Sequence, residues 1–122
     1  MHELNQKSAT DLAELIKSKE VSSKEVVETH LKRIEEVNPE INAITLTLEE
    51  SAIKLAEKAD SASDEERNRP FHGVPMTIKE NIDFLGTPTT NGVPFFAESM
   101  PPRNAPIVDR MLGAGAIPIG RT

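Results

Sequence analysis

The chain reads as an α/β fold on three observations. Val74, Met76, Thr77 and Ile78 form an apolar run without polar alternation that stops on Lys79, the pattern of a strand buried in a parallel sheet. A second apolar segment, Ala116-Ile117-Pro118-Ile119, follows a helix that begins near Pro106 and closes at Gly113 and Gly115, so strand, loop, helix and strand make a βαβ unit with right-handed, parallel strands. The first 69 residues add three starts of helices with the capping-box spacing: Ser8-Ala9-Thr10-Asp11, Ser22-Ser23-Lys24-Glu25 and Thr47-Leu48-Glu49-Glu50.

In order, the first box opens a short helix with Leu12, Leu15 and Ile16 on one face. The second, with Val21 and Val26 placed as a hydrophobic staple, opens a helix whose inner stripe is Val27, Leu31 and Ile34. Asn38-Pro39 is predicted to end it near Val37, because proline restrains the residue before it and cannot continue the helix. Ile41 to Leu46 is β-branched and apolar, and is predicted as a short strand. The third box opens a helix with Ala52, Ala56 and Ala59 on one stripe, small enough for close packing. Ser61 to Arg69 is charged and turn-rich, and is expected to be an exposed, mobile loop.

After Lys79, residues 80–104 hold four prolines and no clear period. A long irregular segment in a compact domain is usually functional or disordered, and its place beside Lys79 favours a functional wall. Phe95 and Phe96 either face a substrate or anchor the loop, and anchoring is the commoner use of a loop aromatic. Asn104 is predicted to cap the next helix, with Pro106 in its first turn and Ile107, Val108, Met111 and Leu112 on its inner face.

Composition narrows the function. At 122 residues the chain is long enough for one core and too short for two ordinary domains. Its net charge of −6 arises wholly in residues 1–69, a polar helical region with 16 acids and 10 bases; residues 70–122 are neutral. Net acidity and four phenylalanines as the only aromatics disfavour a nucleic-acid partner. Without cysteine there is no disulfide, thiolate zinc site or cysteine nucleophile. The three histidines have no metal-binding spacing, and His30 reads as a helix-face residue. With no signal peptide and no long apolar run, a cytoplasmic location away from membranes is expected.

Lys79 is the candidate for chemistry. It sits at the carboxyl end of a strand, where ligands collect in open α/β sheets. An ammonium set against buried apolar surface loses hydration and becomes a base, whereas one that snorkels keeps its head in water; spacing alone leaves both readings open. Three other motifs carry less. Gly115 to Thr122 mimics a phosphate loop, but Ala-Ile-Pro-Ile is strand-like and lacks an N–H that a phosphate cradle needs. Ser51-Ala52-Ile53-Lys54 has the Ser-x-x-Lys spacing of penicillin-recognising enzymes without their accompanying signatures. Glu80 and Asp83 read as a solvated pair of carboxylates.

The segment His72-Gly73-Val74-Pro75-Met76-Thr77-Ile78-Lys79-Glu80-Asn81-Ile82-Asp83 resembles the stretch around the catalytic lysine of the amidase signature family. Asn38 to Ala43, Ala52 to Asp60, Thr89-Thr90-Asn91-Gly92, Asn104 to Val108 and Gly115 to Thr122 extend the resemblance, in order, over nearly the whole chain. Two positions depart from the family pattern: Glu80 stands where Asp is commoner and Val93 where many members have Ser. Thr90-Asn91-Gly92-Val93-Pro94 looks more like the stand-alone amidases than like the A subunit of the glutamyl/aspartyl-tRNA amidotransferase, which remains the alternative together with a non-catalytic interaction fragment.

The resemblance implies the N-terminal portion of the amidase signature fold, with helices packed on a mixed, partly parallel sheet. It implies hydrolysis of a small-molecule amide through a Ser-cisSer-Lys triad without a cofactor. Lys79 would be the base; the two serines and the Gly/Ser-rich loop would follow Thr122. Residues 1–122 are therefore expected to be an incomplete N-terminal part of one amidase domain, inactive alone and prone to self-association through uncovered strands.

Overall fold

The computed structural model describes residues 2–122. The described residues form five helices and a three-stranded sheet: α1 (Ala9–Lys17), α2 (Ser23–Ile41), β1 (Leu46–Thr47), α3 (Glu49–Asp60), α4 (Asp64–Arg67), β2 (Pro75–Ile78), α5 (Pro106–Gly113) and β3 (Ile117–Arg121), with 3₁₀ turns at Glu3–Gln6 and Pro94–Phe96. The sheet order is β1-β3-β2. β2 runs parallel to β3, as the βαβ reading requires, and β1 runs antiparallel to it, so the sheet is mixed.

Two apolar clusters hold the layers. Val27 and Leu31 of α2, Ala52, Ala56 and Ala59 of α3, and Ile117 and Ile119 of β3 form one; Leu4, Leu12, Ile16, Val26 and Val74 form the other. The alanine stripe lets α3 lie against both α2 and β3. Val21 packs beside buried Val26, as the staple predicts. The first capping box closes in both directions between Ser8 and Asp11, while in the second Ser22 accepts from the Glu25 N–H at 3.0 Å.

Several sequence expectations are corrected. Helix α2 continues through Pro39 to Ile41, because proline in a last turn removes only one N–H and the Asn42 N–H still closes on the Asn38 carbonyl at 2.7 Å. Asn42 then turns left-handed (φ 49°), and the Asn38 amide grips both the N–H and the carbonyl of Ile44. The strand predicted at Ile41–Leu46 accordingly shrinks to Leu46–Thr47. Thr47 pairs with Gly120, so Leu48 is the N-cap of α3 and no side chain caps it. The predicted loop at 61–69 contains α4, opened by a complete Ser63–Glu66 capping box and tied down by buried Arg67, which donates to the carbonyls of Ile16 and Asp60.

β2 and β3 are aligned before they begin. The N–H groups of Phe71 and Gly73 donate to Ala114 and Gly115 carbonyls at 2.9 Å, and the Ile117 N–H donates to Val74 at 2.8 Å. Gly115 has φ +94°, and a Cβ there would lie 2.7 Å from the His72 Cα, so this junction requires glycine. β2 is an edge strand among the described residues: Val74 and Ile78 are buried, Met76 is half-buried and Thr77 is exposed, not buried throughout as the apolar run predicts.

Candidate active site

The parallel pair brings the carboxyl ends of β2 and β3 to one side of the sheet. Ile78 is in register with Arg121, and two further main-chain bonds continue the ladder: Thr122 N–H to Ile78 carbonyl at 3.0 Å, and Glu80 N–H to Thr122 carbonyl at 2.6 Å. Lys79 lies between the residues that make these bonds. Its carbonyl accepts from the Ile82 N–H at 3.0 Å, which closes a tight turn. The Lys79 side chain is exposed. The expected apolar surroundings are missing among the described residues because β2 is an edge strand, with protein on one side only.

Arg121 occupies the centre of this end. Its side chain is 0% exposed. Nη2 donates to the Lys79 carbonyl at 3.1 Å and to the Ile82 carbonyl at 2.7 Å, and Nη1 donates to Thr87 Oγ1. Burial pushes the guanidinium below its usual pKa, and the carboxylates of Glu80 and Asp83 work against that shift. The strand geometry of Ile117–Arg121 removes any phosphate-loop reading of Gly115–Thr122. Gly120 has a packing reason: a Cβ there would stand 2.8 Å from Ile44 Cγ2 and 3.1 Å from the Leu46 carbonyl.

Glu80 and Asp83 are neither paired with each other nor free in solvent. Thr45 donates its hydroxyl to Glu80 Oε1, and Thr89 donates to Asp83 Oδ1 at 2.7 Å. Glu80 Oε2 is buried and has no partner among the described residues. The rest of residues 80–104 is likewise tied. Asn91 and Gly92 both have positive φ, and the Val93 N–H returns to the Thr90 carbonyl at 2.8 Å, the two-residue turn that Asn-Gly favours. The Asn91 N–H donates to the Glu80 carbonyl at 3.3 Å, and Thr89 N–H to Ser99 at 2.8 Å. Asn104 does not cap α5, whose N-cap is Ala105; its side chain accepts from the Leu85 N–H and donates to Asp109, stitching the loop to the helix.

Some side chains face away from their predicted roles. Phe95 is 89% exposed and Phe96 41%, in an edge-to-face pair 5.3 Å apart, so burial does not make them anchors. Ile107 is 59% exposed, whereas Val108 is buried. His30 bonds the Val26 carbonyl at 2.8 Å, as a helix-face residue does. Buried His72 links Ala59 and Arg69. Ser51 and Lys54 are each engaged locally, with the Leu48 carbonyl and Glu50, and do not meet. Among the described residues, no three His, Cys, Asp or Glu side chains gather as a metal set, and no helix is long and apolar enough to cross a membrane. An open groove lies between α2 and α3, lined by Leu31, Asn38, Thr47 and Ile53, and no residue from Lys79 to Asp83 is in its wall.

Arg121 is the residue that motif reading passed over. The sequence shows a lone arginine closing an otherwise apolar strand; its burial is settled by the fold, and a buried guanidinium must find acceptors.

The family model for Amidase matches residues 25–122. The chain is 44% identical over 116 residues to an indoleacetamide hydrolase of Bradyrhizobium diazoefficiens, covering 94% of this chain and 22% of that protein. It is 35% identical over 120 residues to the A subunit of the glutamyl-tRNA(Gln) amidotransferase of Caldanaerobacter subterraneus, covering 98% of this chain and 25% of that one. The native peptide amidase of Stenotrophomonas maltophilia has the same architecture over 94% of this chain and 24% of its own, with a TM-score of 0.84 and 28% identity. The chain thus spans about a quarter of the length of the relatives it matches.

Proposed function

The chain belongs to the amidase signature family, and from that premise we propose that it is the N-terminal part of an enzyme that hydrolyses a carboxamide C–N bond to a carboxylate and ammonia or an amine, with Lys79 as its base. The observation that carries this reading is the place of Lys79: it follows β2 directly, at the end of a parallel strand pair, on a backbone held by main-chain bonds on both sides. The family triad supplies the rest, with both serines outside these 122 residues. A serine hydroxyl is a weak nucleophile until a positioned base accepts its proton. The nucleophile's proton passes to the relay serine, whose own proton passes to the Lys79 amine. The nucleophile's oxygen bonds to the carbonyl carbon, and the C–N bond breaks as the leaving nitrogen takes a proton. Water then releases the acyl group.

Lys79→Ala in the intact enzyme tests it. Loss of the base should lower turnover by about 10³-fold or more with the fold retained. A variant within about tenfold of the parent overturns the role of Lys79, since general-base catalysis is worth more than that.

A second reading, the A subunit of a tRNA-linked amidotransferase, is favoured by the relatives of that name at 35–37% identity. The higher identity to the indoleacetamide hydrolase supports the stand-alone reading over it. Co-purification with partner proteins from the native source separates the two.

A further inference from the structure

We propose that Arg121 is the positioning residue for Lys79: its guanidinium holds the turn from which the lysine leaves the sheet, and turnover depends on it through Lys79. The inference rests on the reading of Lys79 as the base.

A charged group with no access to water has to be met by acceptors. Those that meet Arg121 all lie between residues 79 and 87. One nitrogen, Nη2, bridges the carbonyls of Lys79 and Ile82, the two ends of the tight turn. The other, Nη1, reaches Thr87 Oγ1, and Thr87 is itself buried with its hydroxyl on the Phe84 carbonyl at 2.8 Å. Nε has no partner among the described residues.

The sheet does not need these bonds. The β2–β3 ladder is closed by main-chain groups, through Thr122 to Ile78 and Glu80 to Thr122. An apolar side chain would fill the same volume without the desolvation that lowers the Arg121 pKa. A guanidinium adds direction, because its N–H groups are fixed in one plane and orient the carbonyls they meet. One of those carbonyls belongs to Lys79, so fixing it fixes the peptide plane next to the lysine Cα. Glu80 and Asp83, each held by a threonine, oppose the lowering of the guanidinium's pKa that burial causes.

A base has to stand within hydrogen-bond reach of the proton it takes, and a misplacement of about 1 Å costs on the order of 10²-fold. In the intact enzyme, Arg121→Met should therefore lower kcat by about 10²-fold while KM stays within about threefold, with the cooperative melting transition retained. Combined with Lys79→Ala, it should remove no further activity, since a residue that acts through the lysine has nothing left to act on. Arg121→Lys should stay within about tenfold of the parent, because one ammonium can replace Nη2 on both carbonyls.

Three outcomes overturn the proposal. If Lys79→Ala is crippled while Arg121→Met keeps parental kcat, Arg121 does not position the lysine and the base assignment stands. If the two losses multiply, Arg121 acts elsewhere. If Lys79→Ala itself is close to parental, the base assignment fails first and this inference with it. Should Arg121→Met not fold, Arg121→Gln enters the same cycle: its amide meets one carbonyl without a charge, and a kcat loss of about tenfold or more that does not add to Lys79→Ala supports the proposal, while no loss overturns it.

Discussion

Asp60 offers a direct test of how the helices carry the site. It is the last residue of α3, yet its carboxylate caps α2: Oδ1 accepts from the Ser23 N–H at 2.7 Å and Oδ2 from the Lys24 N–H at 3.0 Å. These are first-turn N–H groups that have no intrahelical partner, and a carboxylate there also meets the positive end of the helix dipole. The same end of α2 touches the strand that precedes the lysine, because the buried Ser23 hydroxyl donates to the Gly73 carbonyl at 2.8 Å. Asp60→Ala deletes both capping bonds. A lost cap costs about 0.5–2 kcal/mol and the lost dipole interaction about 0.3–1 kcal/mol; partial burial keeps water from replacing them fully, so about 2 kcal/mol is expected. For a chain of this size that is roughly 6–12 °C in Tm. Asp60→Asn keeps one acceptor and loses the charge, so it should fall about midway between the parent and Asp60→Ala. Thermal and urea unfolding of both variants give the numbers. A shift for Asp60→Ala below about 0.5 kcal/mol, the range of an ordinary surface change, would refute the capping argument.

Two further outcomes follow from packing and charge. Gly120→Ala sets a Cβ against Ile44 and the Leu46 carbonyl, and since a backbone atom cannot swing aside, about 1–3 kcal/mol should be lost in a urea melt; an unchanged midpoint would mean that β1 moves freely. In the first capping box, bonds from Ser8 hold the Asp11 carboxyl below its ordinary 3.8. A depressed carboxyl contributes stability above its unfolded pKa and loses it as pH falls through the folded one, so the protection of first-turn amides of α1, taken as exchange relative to an unstructured peptide at the same pH, should fall as pH drops below about 4 in the parent and stay level in Asp11→Asn.

What the sequence made legible was local. The alanine stripe and the staple at Val21 and Val26 are each set by residues within a few positions of one another, and each stands as the pattern implies. Where pattern and structure part, a distant segment decides. Thr47 has the residue type of an N-cap, but pairing with Gly120 takes it into the sheet. Arg67 lies in a charged stretch that looks solvated, yet carbonyls from Ile16 and Asp60 draw it inward. Pro39 is the local exception: it looks like a helix stop, yet the Asn42 N–H closes on the Asn38 carbonyl and the Asn38 side chain holds Ile44, which carries the helix past it.

Lys79 divides along the same line. Its place at a strand end is a local property, written in the apolar run before it. The bond on its carbonyl is not, because that comes from a guanidinium 42 residues later in the chain. Its surroundings are a third matter: with β2 at the sheet edge, nothing among the described residues covers the amine. On the reading of Lys79 as the base, its placement and its orientation are thus supplied by different elements. The turn at Lys79, the ladder of β2 and β3 and the buried cation are bonded to one another among the described residues. On that same reading of Lys79, a variant that loosens the turn should therefore damage catalysis through the geometry of proton transfer, with kcat falling while KM holds.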